Sequence, residues 1–387
     1  SDRLGWSWPR CYSATMRTIL SVVCTLALIA GANTAAAQSG PIKIGAILPL
    51  TGSGASYGVW MKGGAEMAAE EINAAGGIGG RKLEVIYEDH AADASKAVNG
   101  MRRLVEVEKV PFTLTSYSAP TLAIQPIGAQ NKVVMMNGGG QSDNLANKEY
   151  LYNNIPVVSN EVGVIADWLT KEKKFKAGVV IVANDEAGRN AAKTFREKFA
   201  AGGGRVLAEE QVALDGNDFR AQLAKLKAAG GDLLFISSYG RNVPIIADQA
   251  RELGIALPMA ATSWILIPEV YKSKGAEGMF VTRLPFNADS PFARKFKEKY
   301  KTDAGFFAVQ YYSGTKIFAR AAEEAMKKSG GKLDGEGVKN AIESLKAFDT
   351  ISGKLVFQPN HAAVMDIEVG VLKGGKVEVE KTLKANP

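Results

Sequence analysis

The stretch Ile42-Lys43-Ile44-Gly45-Ala46-Ile47-Leu48 has the length and apolar character of a strand, and Pro49 to Gly58 after it is a turn of small residues that opens a helical pattern. A buried strand feeding a glycine-rich loop at a helix N-terminus is how α/β proteins build ligand sites, because free backbone N–H groups face the crevice beyond the strand ends. Met61, Ala65, Ala68 and Ile72 recur at helical spacing and Gly76-Gly77 closes that helix. Strand-like runs follow at Leu83 to Tyr87, Phe112 to Thr115 and Val133 to Met136, separated by helical patterns, with Pro120 placed at a helix's first residue. Strands alternating with helices predict a parallel sheet covered on both faces.

The pattern pauses at Ile155-Pro156-Val157-Val158 and starts again. Strands are expected at Gly178 to Val182, Arg205 to Val212, Asp232 to Ser237 and Leu257 to Ala261, with helices between them and Asp215-Gly216-Asn217-Asp218 offering an N-cap. Later come helices over 290–301, 306–328 and 335–345, a strand at Gly353 to Phe357, and a strand pair, Val364 to Leu372 and Lys376 to Leu383, turned at Gly374-Gly375. A chain of 387 residues is too long for one core. The economical reading is two doubly wound α/β lobes with a cleft between them: 41–157 plus 285–357, and 158–284 plus 358–387. Short multiple crossings between lobes suit a hinge.

Before this lies a targeting pattern. Met16-Arg17 leads into an apolar run from Ile19 to Ala30, and Ala35-Ala36-Ala37 precedes Gln38. These are the parts of a secretory signal, so cleavage is expected after Ala37, with 1–15 as upstream residues and a periplasmic mature chain. Val23 is a poor neighbour for a lipid-attached Cys24. Cys11 and Cys24 both fall in the removed part, which excludes disulfides and thiolate chemistry from the remainder. Removing Arg3, Arg10, Arg17 and Asp2 takes Lys+Arg from 47 to 44 and Asp+Glu from 40 to 39, a net charge of +5. That charge is spread out, without the dense basic stripe of a nucleic-acid reader.

Ile44-Gly45-Ala46-Ile47-Leu48-Pro49-Leu50-Thr51-Gly52, Tyr57-Gly58, Glu70-Glu71-Ile72-Asn73-Ala74-Ala75-Gly76-Gly77-Ile78 and Gly80-Arg81 together resemble the opening of the leucine/isoleucine/valine-binding proteins of bacterial ABC importers. Asp218-Phe219, Leu223, Leu226-Lys227 and Ala250-Arg251-Glu252-Leu253-Gly254 resemble later motifs of that family. The resemblance covers the chain from about Ile42 onward. It implies a type I periplasmic binding protein: two α/β lobes, three crossovers, a ligand in the cleft, and a closed form recognised by a membrane permease.

Carried over position by position, the resemblance puts Tyr57 facing the cleft, Ser118 beside Tyr117 where a hydroxyl meets the ligand carboxylate, and Gly139, Gly140 and Gln141 where backbone groups and a side chain hold the same carboxylate. Tyr239 matches an aromatic of the second lobe. A helix starting near Pro120 and free N–H groups in a glycine loop favour an anion there. The family's amino acid binders set a carboxylate against the ligand's ammonium after the strand ending at Ala261; here Thr262 stands there, followed by Ser263-Trp264. Ala187 stands where another aromatic is usual. A buried ammonium without a carboxylate is costly, so the favoured ligand is a carboxylate with an apolar or aromatic body, stacked on Trp264 and the tyrosines. Asp185 or Glu186 is the alternative ammonium partner, which keeps an amino acid receptor open. Arg241 and Arg283, near strand ends, are candidates for a ring substituent.

Other classes have weaker support. Gly52, Gly54 and Gly58 make a near miss to the dinucleotide fingerprint, with Glu88-Asp89 about thirty residues on where roughly twenty is usual. No Gly-x-Ser-x-Gly elbow occurs, and His90 and His361 lack companions at metal spacing. The expectation is a monomer that performs no chemistry, needs no cofactor or metal, and has a permease, or in a sensing role a regulatory protein, as partner.

Overall fold

The structure, a computed structural model, describes residues 40–384. The expected targeting segment, with Cys11 and Cys24, lies outside the described residues.

Strands β1 (Ile42–Leu48), β2 (Leu83–Asp89), β3 (Phe112–Thr115), β4 (Val134–Asn137) and β5 (Leu151–Asn153) form a parallel sheet in the order β2-β1-β3-β4-β5. Only Lys43 of β1 is not fully buried, as a strand covered by helices on both faces requires. The crossover helices are Ala55–Ala74, Ala94–Arg103 and Ser118–Gln130. The last begins two residues before the expected Pro120, which sits within its first turn.

A second set follows: β6 (Ala177–Ala183), β7 (Arg205–Val212), β8 (Leu233–Ser237), β9 (Met259–Ala261) and β10 (Phe280–Arg283). Helices Val158–Lys171, Glu186–Ala201, Arg220–Ala229 and Asn242–Glu252 cover them. The helix expected to be capped at 215–218 starts at Arg220; Asp218 still accepts the Arg220 N–H at 3.2 Å.

The chain then returns to the first half. Helix Phe306–Ser329 packs along Ala55–Ala74 so closely that a Cβ on Gly64 would lie 2.0 Å from the Ala308 carbonyl oxygen. Helix Gly335–Leu345 leads into a small sheet of β11 (Ala347–Thr350), β12 (Gly353–Phe357) and β13 (Ala363–Val364). Finally β14 (Asp366–Lys373) and β15 (Lys376–Lys384) join the second sheet antiparallel, giving the order β15-β14-β10-β9-β8-β6-β7.

The chain thus passes between the two sheet systems after Asn153, after Arg283 and between Val364 and Asp366. The sequence places 358–364 with the second lobe, but β13 pairs with β12 and Ala362 bridges to Asn153, so these residues stay with the first. Strands β5, β11 and β13 have two to four residues each, too few to show a period of two. Among the described residues no helix is long and apolar enough to cross a membrane.

Candidate functional site

The C-terminal ends of the parallel strands of both sheets face each other, and the turns leaving them line one narrow cleft of about 360 Å3, counted to its open mouth. From the first half come Tyr57, Tyr117, Ser118, Gly139, Gln141 and Phe307; from the second come Ala187, Tyr239 and Trp264. Seven of the nine residues expected from sequence therefore share one surface. The other two do not line it: Gly140 is buried beneath the loop, and Thr262, 0% exposed, lies under the turn that carries Trp264.

The rings form a chain. Phe307 meets Tyr57 at 5.3 Å between centroids, Tyr57 meets Tyr117 at 6.3 Å, Tyr117 meets Tyr239 at 5.2 Å, and Tyr239 meets Trp264 at 6.4 Å, all edge to face. Such arrangements set a ring's positive edge against its neighbour's negative face, and here they carry an apolar wall from one half to the other.

Tyr117 holds φ 61° and ψ 143°, a region that costs a bulky residue about 1–3 kcal/mol. Two glycines make its position possible. A Cβ on Gly54 would lie 2.6 Å from the Tyr117 hydroxyl oxygen, and one on Gly140 would lie 2.9 Å from the Tyr117 carbonyl carbon. Behind it His90 is fully buried: its Nδ1 accepts the Ala92 N–H at 2.9 Å, which leaves Nε2–H to donate to Ser116 Oγ at 2.8 Å. Burial lowers the His90 pKa to about 4, against the opposing pull of Asp89 and Asp93, so the ring under Tyr117 is neutral at pH 7.

Ser118 opens helix Ser118–Gln130. Its Oγ accepts the Ser142 N–H at 3.0 Å, which leaves its O–H free to donate toward the cleft. Pro120 supplies no N–H and Thr121 donates to the Tyr117 carbonyl at 3.1 Å, so the open donors of this helix start are the N–H groups of Ser118 and Ala119. The glycine loop differs from its expected role. Asn137 Oδ1 takes the Gly139 N–H at 3.2 Å and the Gly140 N–H at 2.7 Å. A short polar side chain at the end of β4 completes that turn from within, and its N–H groups are not offered to a ligand.

Gln141 donates through Nε2 to the Pro156 carbonyl at 2.9 Å and to Glu161 Oε2 at 2.7 Å. Glu161 is 0% exposed, and its other oxygen accepts the Ser263 N–H at 2.6 Å and the Thr282 hydroxyl. One buried carboxylate thus fastens the Gln141 loop of the first half to the turn after β9 and to β10. Nothing in the local sequence marks Glu161, which reads as an ordinary first-turn residue of helix Val158–Lys171.

Tyr57 has a role beyond that of a wall. Its hydroxyl donates to the Trp264 carbonyl at 2.7 Å and accepts the Gly240 N–H at 2.8 Å, both across the cleft. Gly240, at φ 61°, also brings its Cα so near the Ser53 carbonyl that a Cβ would lie 2.8 Å from it. Ser56 Oγ adds a bond to Glu269 Oε1 at 2.9 Å, and Ser142 Oγ one to Asn190 Oδ1 at 2.7 Å. The halves are in direct contact around the cleft mouth.

Neither candidate ammonium partner lines the cleft. Asp185 caps helix Glu186–Ala201 by accepting the Gly188 N–H at 2.8 Å, and Glu186 is bound by Asn144 and Arg189. Arg283 is held by Glu368 at 2.6 Å, and Arg241 is exposed. The lining therefore contains no charged side chain. His361 is remote from the cleft, stacked on Tyr152 at 4.5 Å. Among the described residues no group of three or more His, Cys, Asp or Glu could hold a metal. In the glycine turn, the N–H groups of Leu50 and Thr51 are taken by Asp89 Oδ1 at 2.9 and 3.3 Å, and a Cβ on Gly58 would lie 2.3 Å from the Pro49 carbonyl. Packing explains those glycines without a dinucleotide. Ala187 lines the cleft at the position where the resemblance leads one to look for another aromatic; Phe307 was not among the residues expected to touch a ligand, because the first turn of helix Phe306–Ser329 carries no motif that separates a cleft ring from a core ring.

Two α/β sheet systems joined by three crossings, with a cleft where their strand ends meet, define a type I binding protein. The chain belongs to the periplasmic binding protein family, whose sequence pattern matches residues 41–376. Among curated proteins, the leucine-, isoleucine-, valine-, threonine-, and alanine-binding protein of Pseudomonas aeruginosa is 27% identical over 339 residues, covering 85% of this chain and 89% of that protein. Among solved structures, the substrate binding protein of a branched-chain amino acid transporter from Streptococcus pneumoniae, in complex with isoleucine, gives a TM-score of 0.80 at 25% identity, covering 89% of this chain and 99% of that one. The solute binding protein of an ABC transporter from Rhodopseudomonas palustris, in complex with 3,4-dihydroxy benzoic acid, gives 0.79 at 22% identity over 89% and 98%, a likeness of fold. The chain is a solute-binding protein of the ABC transporter kind, a class that binds substrates without transforming them.

Proposed function

We propose that this protein is exported to the periplasm, captures a small carboxylate, with an aromatic carboxylic acid favoured, in the cleft, and presents it as a monomer to an ABC-transporter permease in the inner membrane. The observation that carries the ligand class is an asymmetry of the lining. The Ser118 hydroxyl and the helix start at Ser118–Ala119 suit an anion, while no lining side chain is charged and none can pair an ammonium. Five rings suit a flat apolar body. Residues 41–157 and 285–364 form the first lobe, and 158–284 and 366 onward the second. Ligand shifts the open-closed equilibrium by its differential affinity for the closed form, and Tyr57 secures that form from the ligand's side of the cleft.

The amino acid reading draws on the substrates in the names of the relatives above. It requires Asp185, whose Oδ1 accepts the Gly188 N–H, to reach the cleft with its other oxygen, and burial already raises the Asp185 pKa, against the Gly188 N–H and Arg189. A thermal-shift screen of aromatic acids, fatty acids, dicarboxylates and branched-chain amino acids separates the two, since binding adds RT ln(1 + [L]/Kd) to stability. Aromatic acids as the strongest hits support the proposal; leucine or valine as the strongest contradicts it.

A further inference from the structure

Gln141 is expected from the sequence to hold the ligand carboxylate, but in the fold its side chain has the opposite polarity. Its Nε2 donates to the Pro156 carbonyl at 2.9 Å and to Glu161 Oε2 at 2.7 Å. A carbonyl and a carboxylate can only accept, so the amide nitrogen faces them and both of its hydrogens are used. What the side chain has left is Oε1, an acceptor. No described residue donates to it, and it is not one of the sealed, partnerless atoms such as Ser237 Oγ. Gln141 is 3% exposed and lines the cleft, so this oxygen is the polar side-chain atom that it offers there.

The two neighbours of Gln141 fix where that oxygen sits. Ser142 donates its N–H to Ser118 Oγ at 3.0 Å, and a Cβ on Gly140 would lie 3.0 Å from the Ser118 nitrogen. The acceptor of Gln141 and the donors at Ser118 therefore belong to one wall of the cleft. Within the loop nothing offsets the acceptor, because Asn137 Oδ1 takes the Gly139 and Gly140 N–H groups. Behind it, the Glu161 carboxylate polarises the amide and makes its oxygen a better acceptor. A carboxylate oxygen has no hydrogen to give Oε1 and is repelled by it and by the Glu161 charge, which leaves the anion to Ser118 and Ala119. The ligand atom that meets Gln141 must carry a hydrogen and lie close to the carboxylate.

We infer that Gln141 is a specificity-determining residue that accepts a hydrogen bond from a hydroxyl beside the ligand's carboxylate, so that the cleft selects a 2-hydroxy acid with an aromatic body over the plain acid. This rests on the carboxylate reading above and names a second group of the ligand. A hydroxyl gives Gln141 its one hydrogen bond and brings no charge into the cleft. An ammonium on the same carbon would reach Gln141 too, but with a charge that no lining side chain pairs, and the Glu161 carboxylate is occupied by Gln141, Ser263 and Thr282. A 2-oxo group presents only lone pairs to Oε1.

The test is calorimetric titration of the full chain with phenylacetate, both enantiomers of mandelate, benzoylformate and phenylglycine, repeated on Gln141→Met. One mandelate enantiomer should bind about fivefold or more tighter than phenylacetate, in line with one hydrogen bond made to a buried acceptor, and benzoylformate should gain nothing. In Gln141→Met the ratio of mandelate to phenylacetate affinity should fall to within about twofold of unity. Equal binding of phenylacetate and both mandelates by the native chain overturns the inference and leaves the carboxylate reading standing. Benzoylformate binding as tightly as the better mandelate, or a mandelate preference that survives in Gln141→Met, does the same. Phenylglycine binding tighter than either mandelate gives Gln141 an ammonium instead, and the carboxylate reading fails with the inference; absence of binding by all of the acids also overturns both. Gln141→Met leaves Glu161 short of a partner, so where that variant is unstable the comparison of ligands on the native chain decides.

Discussion

The Tyr57 hydroxyl oxygen lies 2.7 Å from the Trp264 carbonyl oxygen and 2.8 Å from the Gly240 nitrogen, so one phenol in the first half makes both of its hydrogen bonds to the second. Tyr57 is 2% exposed, and burial raises its pKa well above the ordinary phenol value. It is a neutral link between the halves and, on the proposed mechanism, a latch on the closed form. Tyr57→Phe keeps the edge contact with Phe307 and removes both bonds. Each is worth about 0.5–1.5 kcal/mol net, and loss of a closed form lowers apparent affinity by the fraction competent to bind. Ligand affinity should fall about tenfold, with a larger radius of gyration by small-angle scattering. Unchanged affinity and size would show that closure does not depend on this contact.

On the proposed reading, Ser118 donates to the ligand carboxylate from the first half. Ser118→Ala removes one charge-assisted bond at the helix start and should weaken any carboxylate ligand about tenfold. Its Oγ also accepts the Ser142 N–H, so a small loss of thermal stability should accompany this. A titration that finds the same Kd for Ser118→Ala and the native chain rules out the assignment.

His90 gives a signed pH dependence. Its folded pKa of about 4 lies below the ordinary 6.5. The unfolded chain therefore takes up a proton as pH falls through 6.5 while the folded chain does not until about 4, and stability is lost across that window. The loss from this group is on the order of 3 kcal/mol. The drop in Tm between pH 7 and pH 4.5 should be smaller in His90→Gln than in the native chain, which separates this ring from the carboxylates that titrate nearby. Equal drops would mean that His90 is not held neutral.

Glu161 accepts from Gln141, Ser263 and Thr282. In Glu161→Gln the new amide N–H2 must face one of these donors, leaving a buried group unpaired at about 1–3 kcal/mol. The urea midpoint should fall accordingly, with an unchanged m-value. A midpoint equal to that of the native chain would mean that the network re-forms around the amide.

The order of the long strands was legible because β6 and β8 are continuous apolar runs and β1 is one broken only by Lys43, all bounded by turn residues, and the two-sheet plan follows from their alternation with helices. Of the cleft rings, Tyr57 and Tyr239 were placed by the family resemblance, and Tyr117 and Trp264 by following strands that end at the expected cleft. What the sequence concealed is tertiary. Asn137 and the glycine loop are three residues apart, yet only the folded turn shows that the side chain takes the loop's N–H groups. Glu161 and His90 read as surface or strand-end residues until packing buries them behind Gln141 and Tyr117. The third crossing moved from 357 to beyond Val364 because a two-residue strand leaves no period to read.

The most direct test of the central claim uses ligand pairs that differ only by an α-ammonium: 3-phenylpropionate against phenylalanine, and 4-methylpentanoate against leucine, titrated into the same protein at pH 7.5. A cleft that serves a carboxylate and has no partner for an ammonium should bind each plain acid at least about 100-fold tighter than its amino acid, since an unpaired buried cation costs several kcal/mol. Leucine or phenylalanine binding as tightly as its deaminated partner, or tighter, would contradict the account.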